Sequence, residues 1–131
     1  MHEVPEDRKY SDNHLWVQVT GDARVRVGVT GHPREPGGVA VRVALPGEGD
    51  AFEASEVFCT VEAAGSAPRA LTLPMSGTVV AVNDRLAVSP ADVDDSPFED
   101  GWLAEIAVDK PGQLGGLLSP RAYAEQLRGA G

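Results

Sequence analysis

With Cys59 as its single cysteine, the chain cannot build an internal disulfide. No apolar stretch approaches the roughly 20 residues that a membrane-spanning helix needs, and the first ten residues are too polar and acidic to read as a signal peptide. Basic charge is scarce. Eleven Lys and Arg stand against 20 Asp and Glu, for a formal net charge of −9, and only Lys9 and Lys110 are lysines. Such a surface repels phosphate backbones and anionic lipid, which argues against nucleic acid and membrane as partners. There is no internal repeat, no low-complexity linker, no phosphate-cradling glycine loop and no nucleophile–base pair. These absences point to a cytoplasmic protein without an active site of its own, in one domain over residues 1–131.

What the chain does contain is short strands. Val39, Val41, Val43 and Leu45 alternate with Ala40, Arg42 and Ala44, the period of a half-buried strand. Arg24 to Val29 alternates likewise, with Val25 and Val27 on one face and Arg24 and Arg26 on the other. Further β-rich runs are Leu15–Val19, Val57–Val61, Thr78–Val82 and Trp102–Val108. Turn signals separate them: Thr20-Gly21-Asp22, Pro46-Gly47-Glu48-Gly49, Ser76-Gly77 and Pro111-Gly112. Many short strands between turns predict a sandwich or barrel, not an α/β sheet. Two helical pieces interrupt the pattern. Ser119-Pro120 supplies an N-cap and a proline at the first helical position, predicting a helix that continues through Arg128. Tyr123 and Leu127, four residues apart, fall on one face of it. Ser89-Pro90 opens a shorter turn before Asp92–Asp95.

Composition and period stop there; particular residues go further. Val4-Pro5-Glu6-Asp7-Arg8-Lys9-Tyr10, then His14-Leu15-Trp16-Val17, then Val27-Gly28-Val29-Thr30 and Val43-Ala44-Leu45-Pro46-Gly47 form one ordered series. It continues with Glu56–Glu62, Pro74-Met75-Ser76-Gly77, Val82-Asn83, Pro97-Phe98-Glu99-Asp100-Gly101-Trp102-Leu103, and Leu117, Ser119, Ala122 and Tyr123. Over roughly residues 4–128 this resembles the H protein of the glycine cleavage system. The resemblance implies a mainly β fold, a lipoyl/biotinyl-type barrel-sandwich hybrid with short helical segments and a C-terminal helix. It also implies an exposed hairpin whose tip lysine carries lipoate. That arm takes an aminomethyl group from a pyridoxal-phosphate decarboxylase, passes it to a folate-dependent partner and is reoxidised by a flavin enzyme.

The matching tip departs from that pattern. Glu62 corresponds to the family acid three residues before the modified lysine. Counting forward from Glu62 reaches Gly65, and counting back from Pro74 reaches Ser66, because this tip has one extra residue. Neither has a side-chain amine, and Ala70 stands where the family has a following acid. The resulting expectation is a degenerate attachment tip at Glu62, Gly65 and Ser66, with no lipoate and no other cofactor. The chain would then be a scaffold that docks a partner without carrying an aminomethyl group. The partner would be a glycine cleavage enzyme, a lipoate-attaching enzyme or an enzyme of a diverged pathway. Two other readings stay open: a carrier with a non-lipoyl group on Ser66 or Cys59, and an H protein of the ordinary kind.

A second departure follows Thr30. The family has a short helix there, but Gly31-His32-Pro33-Arg34-Glu35-Pro36-Gly37-Gly38 contains a proline that removes a backbone donor. An irregular loop is expected, with His32, Pro33, Arg34, Glu35 and Pro36 as an altered partner surface. Cys59 lies in a β run, where a small buried thiol is the usual outcome. His2, His14 and His32 lack the spacing of a zinc site, and His14 reads as a structural hydrogen-bonding residue. Asp92, Asp94, Asp95, Glu99 and Asp100 lack the glycine and terminal glutamate of an EF-hand and read as a solvated acidic loop. No metal is expected.

Overall fold

The computed structural model describes residues 6–11, 14–21, 23–30, 40–63, 68–96 and 98–130. Nine strands form along them: β1 (Lys9–Tyr10), β2 (Leu15–Gly21), β3 (Arg24–Val29), β4 (Ala40–Ala44), β5 (Ala51–Phe52), β6 (Val57–Ala63), β7 (Arg69–Thr72), β8 (Gly77–Val82) and β9 (Ala104–Val108). Helices are short except at the end: α1 (Arg85–Val88), α2 (Asp92–Asp95) and α3 (Pro120–Ala130), with a 3-10 turn at Pro111–Gly116. The strands make two antiparallel sheets, a larger one in the order β1-β2-β3-β9-β8-β5 and a smaller one in the order β4-β6-β7. Both edge strands of the larger sheet are two residues long. Among the described residues no helix is long and apolar enough to cross a membrane.

One apolar core lies between the sheets. Leu15, Val17, Val25, Val27 and Val29 enter it from β2 and β3, Val43, Phe58 and Leu71 from the smaller sheet, and Val79, Ile106 and Val108 from β8 and β9. In β3 the alternation read from the sequence is the one observed: Val25 and Val27 are buried, and Arg24 is exposed. In β4 it is not. The pairing with β6 shifts register between Ala40 and Arg42, and such a bulge turns the following side chains to the other face. Ala40 and Val43 therefore point inward, while Val41 is 56% exposed. Trp102 and Leu103 precede β9 instead of opening it. Helix α1 and the 3-10 turn were not expected.

The opposite face of β2 carries a second, aromatic cluster of Tyr10, Trp16 and Tyr123, with Phe98, Trp102 and Leu118 packed against it. Trp16 pairs across the ladder with Gly28, and its indole lies on the bare glycine backbone. Arg8 covers the indole from the other side, its guanidinium carbon 4.6 Å from the ring centre and Nη1 donating to the Phe98 carbonyl at 3.0 Å. Asp7 neutralises Arg8 from the solvent side at 2.9 Å, and that hydrogen bond is the main reason the Asp7 carboxyl titrates below its usual range.

Helix α3 closes this cluster. The Ser119 hydroxyl accepts from the Ala122 amide at 3.1 Å, an N-cap bond, and Pro120 occupies the first helical position as the sequence predicts. The run into the helix is tied to β1 by reciprocal bonds, Tyr10 N to Leu118 O at 2.9 Å and Leu118 N to Tyr10 O at 2.7 Å. Tyr123 is fully buried and stacks on Tyr10, ring centres 4.6 Å apart and planes within 5°. The Leu127 side chain, expected on the same face, lies outside the described side chains.

A β-carbon added at Gly28 would fall 2.5 Å from Trp16 Cε2 and Cζ2. Gly28→Ala is therefore expected to displace the indole and lower stability by about 1–3 kcal/mol. Urea unfolding followed by tryptophan fluorescence measures this, and an unchanged midpoint would show that the ring has room to move.

Candidate functional site

The hairpin singled out in the sequence is present. β6 and β7 pair antiparallel, with Cys59 opposite Leu71, Thr60 opposite Ala70 and Val61 opposite Arg69. Glu62 follows on β6, half-buried, and its partner across the ladder with β4 is Arg42. Pro68 is exposed where the chain re-enters the described region. Gly65 and Ser66 lie outside the described residues, so the structure leaves the tip's geometry untouched. The segment 31–38, with His32, Pro33, Arg34, Glu35 and Pro36, is likewise outside them.

Cys59 can be judged directly. It is 2% exposed, on the core face of β6, and its Sγ lies 3.9 Å from the Thr60 carbonyl. Burial pushes its thiol up to about 12 from the ordinary 9.0. A thiol this far from ionisation and from solvent is no attachment point, so the carrier reading on Cys59 gives way to the buried structural thiol. The acidic segment resolves into separate roles. Asp92 pairs with Arg85 at 2.6 Å, and Glu99 is exposed. The Asp100 carbonyl accepts from Asn83 Nδ2 at 2.6 Å. Among the described residues no three His, Cys, Asp or Glu side chains converge as metal ligands would.

The residue read as structural, His14, has a defined partner. Its Nδ1 lies 2.8 Å from the Tyr123 hydroxyl, which also meets Thr30 Oγ1 at 2.7 Å. His14 adopts a left-handed backbone with φ 69°, a conformation that costs a β-carbon-bearing residue energy and persists where the surroundings hold it. Burial raises the Tyr123 phenol above its ordinary range, against smaller opposing effects of Thr30 and of the Arg69 guanidinium. Arg69 and Thr30 were not singled out from the sequence. The available signal was the tyrosine itself, since a buried Tyr hydroxyl needs a hydrogen-bond partner.

Comparison with known proteins bears on the whole of this arrangement. Residues 8–130 match the family model described as glycine cleavage H-protein. The glycine cleavage system H protein of Chromohalobacter salexigens is 39% identical over 123 residues, 94% of this chain and 93% of that protein. A probable glycine cleavage system H protein of Haloarcula marismortui is 42% identical over 125 residues, 95% of this chain and 97% of its own. The crystal structure of a glycine cleavage system H protein from Mycobacterium marinum superposes with a TM-score of 0.82 at 34% identity, covering 93% of this chain and 97% of that one. The mainly β barrel-sandwich fold inferred from the resemblance is thus observed.

One expectation is overturned by the same findings. The absence of lipoate was inferred from the missing tip lysine, yet near-full-length likeness at these identities places the chain in a lipoate-binding family. What holds is the narrower chemistry: Gly65 and Ser66 have no amine, so a lipoyl amide does not fit at those two residues. The side-chain amines of the chain are Lys9 and Lys110, both exposed.

Native protein should leave a colorimetric thiol reagent unreacted near neutral pH, whereas the urea-unfolded chain reacts through Cys59. In the folded chain the thiol stays protonated up to about 12, but in the unfolded chain it ionises near 9.0. The unfolded state therefore holds fewer protons between those values, and stability falls as pH rises through that window. Cys59→Ala should flatten this alkaline slope; an equal slope in both proteins would assign it to other groups.

Proposed function

Because the chain belongs to the glycine cleavage H-protein family, we propose that it works as the H component of a glycine cleavage system, an aminomethyl carrier with no active site of its own. The observation that carries this reading is the match over residues 8–130. The antiparallel β6–β7 hairpin is where the resemblance puts the travelling end of the molecule. The partners are the system's enzymes, and a cytoplasmic location goes with them. Lipoate is the group such a carrier bears; bound, it supplies a dithiol that can hold the aminomethyl unit. This chain's own contribution is a rigid frame. The hairpin is paired on both sides of β6, and its residues Phe58 and Leu71 are locked in the core.

The test is reconstitution. The chain is incubated with a lipoate-attaching enzyme and lipoate, then added to the other glycine cleavage enzymes. Glycine-dependent release of carbon dioxide above the blank, with a lipoyl adduct in the intact mass, supports the reading. Peptide mapping can place such an adduct only on Lys9 or Lys110. An unmodified mass together with no turnover would overturn the reading.

We also propose that the tip at Glu62, Gly65 and Ser66 is not where this chain would bear lipoate, since it differs from the family pattern in length as well as in its lysine. Turn length sets hairpin register. Ser66→Lys combined with deletion of Ala63 or Ala64 places the new lysine three residues after Glu62. This double change should accept lipoate at the tip much faster than Ser66→Lys alone, as followed by mass over time. Equal rates would leave the lysine as the only difference that matters.

A further inference from the structure

The two side-chain amines of the chain, on Lys9 and Lys110, stand in opposite settings. Lys9 lies in β1, its backbone laddered opposite Val17. The residues directly before and after it are committed to the aromatic layer. Arg8 is buried against the rings of Trp16 and Phe98. Tyr10 is fully buried, with its amide and carbonyl both bonded to Leu118. Lys110 follows the end of β9 at Val108, opposite Gly77, in the run Asp109-Lys110-Pro111-Gly112, all four residues exposed. The run is exposed yet pinned. Asp109 N donates to the Ser76 carbonyl at 2.9 Å, and Gln113 N to the Lys110 carbonyl at 2.9 Å. Ser76 N in turn donates to Gln113 Oε1 at 2.8 Å. Pro111 fixes its own φ where the 3-10 turn begins. A β-carbon at Gly112, Gly115 or Gly116 would meet nothing within 4 Å, so the flank beyond the lysine faces open space. Among the described residues the Lys110 amine joins no ion pair.

An enzyme that acylates one chosen lysine grips the residues beside it as well as the amine. A turn already held in place by its scaffold loses little freedom when gripped. Gripping the flanks of Lys9 would instead mean peeling β1 from its ladder and breaking the aromatic layer. Resting on the carrier role proposed above, we infer that Lys110 is the residue of this chain that an attaching enzyme joins to lipoate. The acyl donor is a mixed anhydride of lipoate and a nucleotide phosphate. Lys110 Nζ gives up a proton and attacks the lipoyl carbonyl carbon. The C–N bond forms as the bond from that carbon to the phosphate oxygen breaks, and the nucleoside monophosphate leaves; nothing is oxidised or reduced. The arm then departs from the foot of the β6–β7 hairpin and not from its tip. The foot is the pair Val57 and Thr72, and the chain runs from there through Leu73, Pro74 and Met75 to Ser76, which pins the turn.

The experiment incubates the full chain, Lys9→Arg and Lys110→Arg with a lipoate-attaching enzyme, lipoate and ATP, and reads intact mass and peptide maps. Both substitutions keep the charge and remove the amine that forms the amide. One lipoyl adduct is expected on the unaltered chain, in the peptide that contains Lys110. Lys9→Arg should load as the unaltered chain does, and Lys110→Arg should lose the adduct. Omitting the enzyme should leave all three unmodified. An adduct on Lys9, or one divided equally between the two lysines, overturns the inference and leaves the carrier role standing. So does an adduct that forms equally without the enzyme, since that reports exposure alone. If the unaltered chain takes up no lipoyl group, the carrier role fails its own test and this inference falls with it.

Discussion

The contact between the Trp16 indole and the bare backbone of Gly28 governs the layout of the molecule. A strand alternates its side chains between two faces, and β2 has bulky residues on both. Leu15 and Val17 fill the core between the sheets, which leaves Trp16 on the outside. That position would expose a large apolar ring if the neighbouring strand bore a side chain there. Gly28 lets the ring lie flat on β3, Arg8 caps it with a buried guanidinium, and the aromatic layer so formed is what α3 packs on. Burying a ring of this size contributes on the order of 2–3 kcal/mol, but its larger effect is architectural. It gives the larger sheet a second buried face.

That second face connects the helix at the end of the chain to the far end of the β2–β3 ladder. Tyr123 stacks on Tyr10 of the same layer and reaches with its hydroxyl to His14 and Thr30. The aromatic layer is therefore continuous with the end of the β2–β3 ladder, where Thr30 N donates to the His14 carbonyl. The hairpin's own strands take a different support. Phe58, Cys59 and Leu71 anchor it from within the main core, and the thiol of Cys59 serves there as a small apolar group.

Much of the fold could be read from the sequence because its signals are local. The alternation of Val25 and Val27 with Arg24 and Arg26, and the Ser119-Pro120 start of α3, need only neighbouring residues to specify them. Where the reading failed, the cause was non-local. The bulge between Ala40 and Arg42 depends on β6, so nothing in β4 alone announces that Val41 turns outward. Strands β1 and β5 are too short to show a period. The site divides in the same way. The hairpin and Glu62 were legible from the ordered resemblance, and the lack of an amine at Gly65 and Ser66 is plain in the residues. The expectation of no lipoate is what the near-full-length likeness to glycine cleavage H proteins overturns. The grouping of Tyr123, His14 and Thr30 could not be read, since it joins residues more than ninety positions apart.

The brevity of β1 and β5 has a bearing on life at high concentration. The outermost strands of an open sheet present unpaired amides and carbonyls that can template the strand of another molecule, the route to aggregation. Here the larger sheet ends on both sides in a strand of two residues, and the free groups of β1 are partly taken up by Leu118. At either edge of this sheet a foreign strand finds too short a register to hold. A lasting contact with another molecule at this sheet must then come through side chains and not through its backbone edge.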